Sequence, residues 1–220
     1  MKQRYRRTSR FFSRHWQRFL LLVFLLFIAS FILSNCASNP PRNPDDICAI
    51  FKEKDDWYQK SRDAEKRWGT PIPVQIAIIR QESAFRDDAQ PPRNTLLGFI
   101  PWTRPSSAYG YPQVKDSTWD WYIEKTGNNG ADRDDFSDAV DFVGWYTHTS
   151  QRTLGISKWD GYNQYLAYHE GHGGFKRKTY RRKHWLQSVA RKVDSQSKRY
   201  AKQLSICREE LENSWSLWPF

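Results

Sequence analysis

Residues 72–85 decide the fold, and they read IPVQIAIIRQESAF, from Ile72 to Phe85. As a helix, this stretch carries apolar side chains on two opposite faces: Val74, Ala77, Ile78 and Phe85 on one, and Ile72, Ile76 and Ile79 on the other. A surface helix needs only one apolar face, so a helix that is apolar on nearly all sides is expected in the interior. The stretch therefore predicts a buried helix against which other elements pack.

Glu82 is the only acid in this stretch. It stands four residues after Ile78 and three before Phe85, at the margin of one apolar face in the last turn. Because burial disfavours the charged form of a carboxyl group, we predict a raised pKa and a proton retained nearer neutrality. The alternative is an ordinary helix-end carboxylate paired with Arg80 or Arg86.

Helical patterns account for most of the chain on either side. Asp45 and Asp46 are candidate caps for one broken or two short helices that end at Gly69. Thr70 is a candidate cap for the buried helix, with Pro73 in its first turn. Further helices are predicted at 117–125, 134–151, 160–169 and, as a long amphipathic helix, 185–211. Neither an alternating strand pattern nor an internal repeat is visible, so the predicted fold is mainly α.

Residues 86–110 predict a long loop, since Pro, Ser and Asn recur through them. The segment nevertheless contains the apolar residues Leu96, Leu97, Phe99, Ile100 and Trp102. A long loop with apolar side chains inside a compact domain is usually a lid or a binding loop. The alternative is an ordinary surface loop with its own small apolar cluster.

The composition limits the chain to one globular domain and a short appendage. Of its 220 residues 39% are apolar and 27% charged, with 11 Trp, 11 Tyr and 13 Phe. These values exclude a disordered chain, a collagen and a polytopic membrane protein. The net charge of +11 is uneven: residues 1–35 carry seven basic residues and no acid, 36–170 carry 16 basic and 20 acidic (net −4), and 171–220 carry 12 and 4 (net +8).

Residues 1–35 have the pattern of a lipoprotein-type signal peptide or of an N-terminal anchor. A basic segment precedes 15 uncharged residues, Phe19 to Leu33, and a boundary of small residues follows. Fifteen residues are short for a membrane-spanning helix, which needs about 20, although adding Ser34 to Ala37 almost reaches that length. Both alternatives export the remainder of the chain, because the basic residues stay inside.

Cys36, at this boundary, resembles the lipid-modified cysteine of bacterial lipoproteins. We predict lipidation of Cys36, although Asn35 replaces the Gly, Ala or Ser that those proteins prefer before the cysteine. Ala37 lacks the charge of the inner-membrane retention signal, so the predicted location is the outer membrane, facing the periplasm; an inner-membrane anchor is the alternative. Residues 36–44 then form a linker, 45–213 the domain and 214–220 a C-terminal tail.

Two cysteines remain in the exported part, Cys48 and Cys207. In an oxidising compartment they are a possible disulfide that closes a loop of about 160 residues. Two separate buried thiols are the alternative.

Three motifs follow one another in the chain: RQESAF at 80–85, YGYPQV at 109–114 and LAYHEG at 166–171. Together they resemble the motifs of SLT-type lytic transglycosylases, relatives of goose-type lysozymes: Glu-Ser at the end of a buried helix, Gly-Leu-Met-Gln, and Ala-Tyr-Asn-Ala-Gly. Tyr111 and Pro112 replace Leu and Met, and His169 and Glu170 replace Asn and Ala. The resemblance implies a single lysozyme-like helical domain with an active-site groove.

The resemblance also implies roles for individual residues. Glu82 matches the single catalytic acid, and Tyr168 matches the aromatic hydroxyl that faces it. The complete set of implied substrate-binding residues is Ser83, Gly110, Tyr111, Gln113, Tyr168, His169 and Glu170. The implied reaction is cleavage of the MurNAc-GlcNAc bond in peptidoglycan with formation of a 1,6-anhydro ring, in which Glu82 acts first as acid and then as base.

Two other functions stay open. One is a hydrolytic muramidase, in which Glu170, Asp116 or Asp120 would supply a second carboxylate. The other is a non-catalytic peptidoglycan-binding envelope protein. The expected partners are peptidoglycan glycan strands and, through the lipid anchor, the membrane; no nucleic acid and no cofactor are expected, and the oligomeric state is not predicted.

Three further patterns have less specific interpretations. His169 and His172 invite a zinc interpretation, but they are three residues apart where the metalloprotease pattern requires four, so no metal site is predicted. Residues 176–183 contain six cations, either a solvated face or a surface that attracts acidic stem peptides or anionic head groups. Seven aromatic residues could line a glycan groove or belong to the core: Tyr109, Tyr111, Trp119, Trp121, Tyr122, Trp145 and Tyr146.

Overall fold

The computed structural model describes residues 19–21, 23–24, 39–96 and 100–216. The predicted lipidation site Cys36 and most of the apolar run before it lie outside these residues, as do residues 217–220. None of the helices described has the combination of length and apolarity needed to cross a bilayer. The compact unit that contains the domain begins at Asn39.

The described part of this unit is mainly helical, which confirms the predicted fold class. Its elements are α1 (Ile47–Glu53), α2 (Trp57–Trp68), α3 (Ile72–Ser83), β1 (Thr95–Leu96), β2 (Ile100–Pro101), α4 (Asp116–Thr126), α5 (Phe136–Leu154), α6 (Gly161–Lys176), a 3₁₀ helix (Thr179–Arg182) and α7 (His184–Ser216). The last helix thus continues past residue 213, into the segment predicted as a tail.

The helix α3 is the centre of the core, as its sequence predicts. Its apolar side chains on both faces are buried, and it contacts α2, α5 and α7. Phe85, directly after the helix, is fully buried as well. Burying a large apolar side chain stabilises a fold by about 1.5 to 3 kcal/mol, so α3 is a major source of the free energy of folding.

Side-chain caps start α1, at a predicted cap, and α6, at the predicted first residue. The carboxylate of Asp46 accepts hydrogen bonds from the backbone N–H groups of Cys48 and Ala49 at the start of α1. Asp160 does the same at the start of α6, where it accepts from the N–H of Asn163. Gly69 ends α2, as predicted, and it adopts the left-handed conformation.

The prediction that Thr70 caps α3 is wrong. Its hydroxyl group is buried and bonds to α5 instead, at 3.1 Å from the Gly144 carbonyl and 2.6 Å from the Thr147 hydroxyl. The N–H of Ile72 is bound by the carboxylate of Glu65 on α2, at 3.1 Å. A long-range contact therefore satisfies the helix start, and local sequence carries no signal for it.

The long loop between α3 and α4 contains a short hairpin, although no strand was predicted. β1 and β2 are antiparallel, and Leu96 is opposite Ile100. Hydrogen bonds from the N–H of Trp102 to the Asn94 carbonyl and from the N–H of Asn94 to the Thr103 carbonyl continue the pairing. Strands of two residues are too short to produce an alternating pattern.

The N-terminal end of the unit is fixed to the C-terminal helix. Cys48 of α1 and Cys207 of α7 form a disulfide, with their Cα atoms 6.1 Å apart and 159 positions apart in sequence. A loop of that length corresponds to about 5 kcal/mol of stabilisation in the chain-entropy model. The described part of the predicted linker, residues 39–44, also contacts the domain: Pro41 is buried, and the Pro44 carbonyl accepts a hydrogen bond from Tyr200 of α7.

Candidate active site

A cleft of about 530 Å³ brings the three sequence motifs together. It is bounded by the end of α3, the loop that leads into α4, and parts of α4, α5 and α6. The residues that line it are Glu82, Ser106, Ala108, Gln113, Val114, Lys115, Thr118, Tyr146, Tyr168, His169, Glu170 and Gly171. Ser106 and Ala108 belong to the long loop 86–110, so that loop forms part of the cleft wall.

Glu82 is fixed in the cleft by the way in which α3 ends. Ala84 and Phe85 both have positive φ, 51° and 64°, which turns the chain sharply after the helix. Non-glycine residues adopt this conformation at a cost, and surrounding contacts must maintain it. The fully buried ring of Phe85 supplies such contacts against Trp57, whose ring centroid is 5.8 Å away.

The carboxyl group of Glu82 is in a strongly desolvated environment. Its Oε1 atom is shielded from solvent and has no hydrogen-bond partner among the described residues. Burial raises the pKa of Glu82 from 4.5 to about 7, while a hydrogen bond from Tyr165 acts in the lowering direction. The direction is the one predicted from the sequence.

The alternative pairing of Glu82 with a neighbouring arginine is wrong. Arg80 binds the carboxylate of Asp45 at 2.7 Å and the side chain of Gln196 at 3.1 Å. Arg86 forms an ion pair with Asp88 at 3.5 Å. Both guanidinium groups thus have other partners, and desolvation dominates at Glu82.

Two tyrosines of α6 surround the buried carboxyl group. Tyr168, predicted to face Glu82, lines the cleft, and its hydroxyl donates a hydrogen bond to the Pro112 carbonyl at 2.7 Å. Burial and, next, the charge of Glu82 raise the pKa of Tyr168 well above its usual value. The third motif is thereby tied to the second.

Tyr165 was not singled out from the sequence, yet its hydroxyl interacts with Glu82 and its pKa is raised by burial and by that carboxyl group. It stands three residues before Tyr168 on the same helix, and residues three apart share a helix face. This spacing was the signal that could have identified it.

The second motif contributes Gln113 and Val114 to the cleft lining, and Gln113 is the polar one of the two. This residue has a φ of 49°, and its Nε2 donates to the carbonyls of Ala89 and Gly110 at 2.7 and 2.8 Å. Gly110 has a φ of 70°, and a Cβ atom there would lie 2.1 Å from the backbone oxygen of Arg133. Glycine is therefore required for the close approach of two backbone segments that positions Gln113.

Three residues predicted to bind substrate do not line the cleft. Gly110 is buried beneath Gln113. The ring of Tyr111 is buried among aromatic residues, with centroids 5.7 Å from Trp57 and 5.5 Å from Phe136. Ser83 is also buried, and its hydroxyl donates back to the Ile79 carbonyl within α3 at 3.2 Å. These three residues lie in the protein interior next to the cleft. The motifs could not reveal this, because their spacing does not distinguish inward from outward side chains.

His169 and Glu170 also line the cleft, directly before Gly171 interrupts α6 with a φ of 71°. The Glu170 side chain is only 3% exposed and binds Lys183 Nζ at 2.6 Å, His169 Nδ1 at 3.2 Å and the hydroxyl of Thr179. Burial acts to raise the pKa of Glu170, but the hydrogen bonds from Lys183, Thr179 and His169 outweigh it, so the net shift is downward.

His172 has a structural environment within the domain. Its Nε2 is 2.8 Å from the Ser150 hydroxyl, and its ring stacks on Tyr146 with centroids 4.5 Å apart. Burial lowers the pKa of His172 and favours the neutral ring. Of the aromatic residues considered for the groove, Tyr146 lines the cleft.

The remaining members of that aromatic set lie elsewhere. Trp119, Tyr122 and Trp145 are core residues, and Trp121 packs against Trp145 with ring centroids 4.6 Å apart. The hydroxyl of Tyr109 donates to the carboxylate of Asp134. Most of this aromatic surface therefore stabilises the fold.

Comparison with known families agrees with this arrangement. The family model described as the transglycosylase SLT domain matches residues 24–207, which is most of the chain. No curated protein and no solved structure matches the chain. The chain belongs to the transglycosylase SLT domain family.

Proposed function

We propose that this protein is a peptidoglycan lytic transglycosylase in which Glu82 is the single acid and base. Family membership supports an enzyme of the lytic transglycosylase type that acts on peptidoglycan. The observation that carries the specific proposal is the buried carboxyl group of Glu82, whose Oε1 atom has no partner in the described part of the chain and whose pKa is raised to about 7. Such a group holds a proton that it can transfer.

In the first step, Glu82 donates its proton to the glycosidic oxygen that leaves from C1 of the N-acetylmuramic acid unit. The bond between C1 and that oxygen breaks, and positive charge develops at C1. The N-acetyl group of the same sugar stabilises this centre. Glu82 is left as a carboxylate, close to the hydroxyl of Tyr165.

In the second step, the Glu82 carboxylate removes the proton from the sugar's own 6-hydroxyl group. The 6-oxygen attacks C1 and closes the 1,6-anhydro ring, and Glu82 regains its proton. No water is consumed, and no second carboxylate is needed. One carboxyl group with a pKa near neutrality suits both steps, because it is a competent acid and a competent base.

The state of the second carboxylate supports this reaction over hydrolysis. Glycosidases that use water normally rely on a pair of carboxyl groups. Among the described residues that line the cleft, Glu170 is the other carboxylate, and its oxygens are bound by Lys183, Thr179 and His169. Asp116 is paired with Arg133 at 2.8 Å, and Asp120 is exposed outside the cleft lining.

Mass spectrometry of the products from purified glycan strands tests the proposal. Wild-type protein is expected to release 1,6-anhydro products, and the Glu82→Gln variant none. Reducing ends would indicate a hydrolytic muramidase. Binding without release would indicate a peptidoglycan-binding protein. The exposed Glu209→Gln change is the matched control and is expected to leave the products unaltered.

We also propose that the domain faces the periplasm, attached to the outer membrane by lipid on Cys36. The support is the sequence pattern of residues 1–37. Metabolic labelling with an alkyne fatty acid is expected to tag the wild-type protein and not the Cys36→Ser variant. Equal labelling of both proteins, or of neither, would contradict lipidation at this residue.

A further inference from the structure

A cluster of cations lies next to the cleft, on residues 176–183, called here the basic segment. Two of its residues bind the same cleft residue: the hydroxyl of Thr179 and Nζ of Lys183 both donate to the carboxylate of Glu170. Glu170 itself lines the cleft. Through these two contacts with Glu170, the basic segment is held next to the cleft.

Most of the charge in this segment is available for a ligand. Lys183 is neutralised by Glu170, but Lys176, Arg177, Lys178, Arg181 and Arg182 are exposed. Within the described part of the chain, no ion pair joins these five cations to an acid. Exposed cations held close together repel one another and attract anions.

An exposed aromatic ring lies beside the cleft, two residues after the basic segment in the chain. Trp185 is 57% exposed, and its ring centroid is 5.2 Å from that of His169, which lines the cleft. Tryptophan combines a large apolar ring with a polar N–H group and is enriched at interfaces. The cleft wall thus continues through His169 and Trp185 toward the start of α7, where the basic segment ends.

We propose that the basic segment binds the carboxylate groups of the peptide stems on the same peptidoglycan strand that the cleft holds, an inference that rests on the proposed function. The repeating sugars of such a strand carry neutral amide and hydroxyl groups, whereas its peptide stems carry carboxylates. A strand seated in the cleft places its stems along the cleft margin. The exposed cations there complement them, and exposed ionic contacts contribute mainly to binding and association rate.

Kinetics on two substrates test this inference. One substrate is soluble glycan strands with intact peptide stems. The other is the same strands after an amidase has removed the stems and the lactyl carboxylates that this leaves have been converted to neutral amides. The variant combines Lys176→Gln, Lys178→Gln and Arg181→Gln. Its matched control combines Arg191→Gln, Lys192→Gln and Lys202→Gln, three exposed cations of α7.

The variant is expected to raise KM about tenfold on peptide-bearing strands at low salt, with kcat unchanged and with a smaller effect at high salt. On stripped strands its KM should equal that of wild type, and the control should match wild type on both substrates. An equal rise in KM on both substrates, or no rise on either, would overturn the inference. Thermal unfolding verifies that both triple variants fold.

A binding measurement separates this inference from the proposed function. The same triple changes are placed on the Glu82→Gln background, and affinity for both kinds of strand is measured. Selective loss of affinity for peptide-bearing strands supports the inference even if wild type cleaves neither strand. In addition, binding of the same proteins to vesicles of phosphatidylglycerol and phosphatidylethanolamine is measured. A loss confined to the vesicles would overturn the inference in favour of a membrane surface.

Discussion

Glu82 and Glu170 line the same cleft, and their electrostatic environments are opposite. Glu82 is surrounded by apolar and aromatic groups, its Oε1 atom has no partner among the described residues, and its pKa is raised to about 7. The Glu170 side chain is 3% exposed and accepts hydrogen bonds from Lys183, Thr179 and His169, and its pKa is lowered. Burial acts to raise both pKa values. At Glu82 it dominates, whereas at Glu170 the three donors outweigh it.

The difference assigns different functions to the two groups. A carboxyl group that is protonated near neutrality can donate to a leaving oxygen. A carboxylate bound by a lysine and two further donors is suited to holding parts of the chain together, here α6, the 3₁₀ helix and the start of α7. Five predictions sharpen or break this comparison.

The largest effect is expected from Glu82→Gln on turnover. The amide has the shape of the carboxyl group but no proton to transfer, so the rate should fall by about 10³-fold, within the range of general acid–base catalysis. The measurement is release of muropeptides from purified strands. Retention of more than about a tenth of the wild-type rate would remove Glu82 from the mechanism.

The same change is expected to stabilise the fold at alkaline pH. The folded-state pKa of about 7 lies above the ordinary value of 4.5, so the contribution of Glu82 to stability falls as the pH rises from 4.5 to 7 and stays unfavourable above that. Glu82→Gln should therefore gain up to ~3 kcal/mol at pH 8 relative to its effect at pH 4. Urea unfolding at the two pH values measures this difference, and a gain that did not depend on pH would contradict it.

Glu170→Gln is expected to have the opposite effect on stability. Its lowered pKa means that Glu170 stabilises the fold above pH 4.5 and loses this effect as the pH falls through the lowered value. Replacement should cost about 1 to 2 kcal/mol at pH 7, because Lys183 loses its partner. Urea unfolding tests this prediction too. Stabilisation at pH 7 would show that the Glu170 contacts are not favourable.

The pH dependence of turnover is expected to follow Glu82. Since the proton donor must be protonated, kcat/KM should decrease above about pH 7, approaching tenfold per pH unit. Rates on soluble strands between pH 5 and 9 measure this limb. A decrease that began near pH 4.5 would place the acid in an ordinary, solvated environment.

Tyr165→Phe is expected to produce the smallest change. The Tyr165 hydroxyl lowers the pKa of Glu82, so its removal should raise that pKa and move the alkaline limb upward by less than about one unit. The conservative change keeps the buried ring in place. If the pH at which kcat/KM begins to decrease were unchanged or lower in the variant, the result would contradict the hydrogen bond between Tyr165 and Glu82.

The core and the pKa of Glu82 were predictable because periodicity in a single helix determines both. The sequence of α3 places apolar groups around its full circumference, and a carboxyl group at its end must then be desolvated. The cap at Asp46 was also predictable, because it binds N–H groups only two and three residues further along the chain. The prediction at Thr70 was wrong because its partners, Gly144 and Thr147, come from a distant helix.

The cleft was predictable as a set of motifs but not as a set of side chains. Gly110 and Tyr111 belong to the second motif, yet one permits a close backbone approach and the other fills the aromatic core. The direction of a side chain in a loop depends on φ values such as the 49° of Gln113, which no periodicity encodes. Two donors that lower the pKa of Glu170 are Thr179 and Lys183. Both come after a break in the helix, so the sequence could not pair them with Glu170.

The most direct test of the two ionisation states is a titration of the carboxyl carbons by NMR. Protein labelled with ¹³C at glutamate Cδ is compared with its Glu82→Gln and Glu170→Gln variants, which assigns both signals. The expected midpoints are near 7 for Glu82 and below 4.5 for Glu170. A Glu82 signal with a titration midpoint at or below pH 4.5 would contradict the claim that the cleft contains a neutral carboxyl group able to donate its proton.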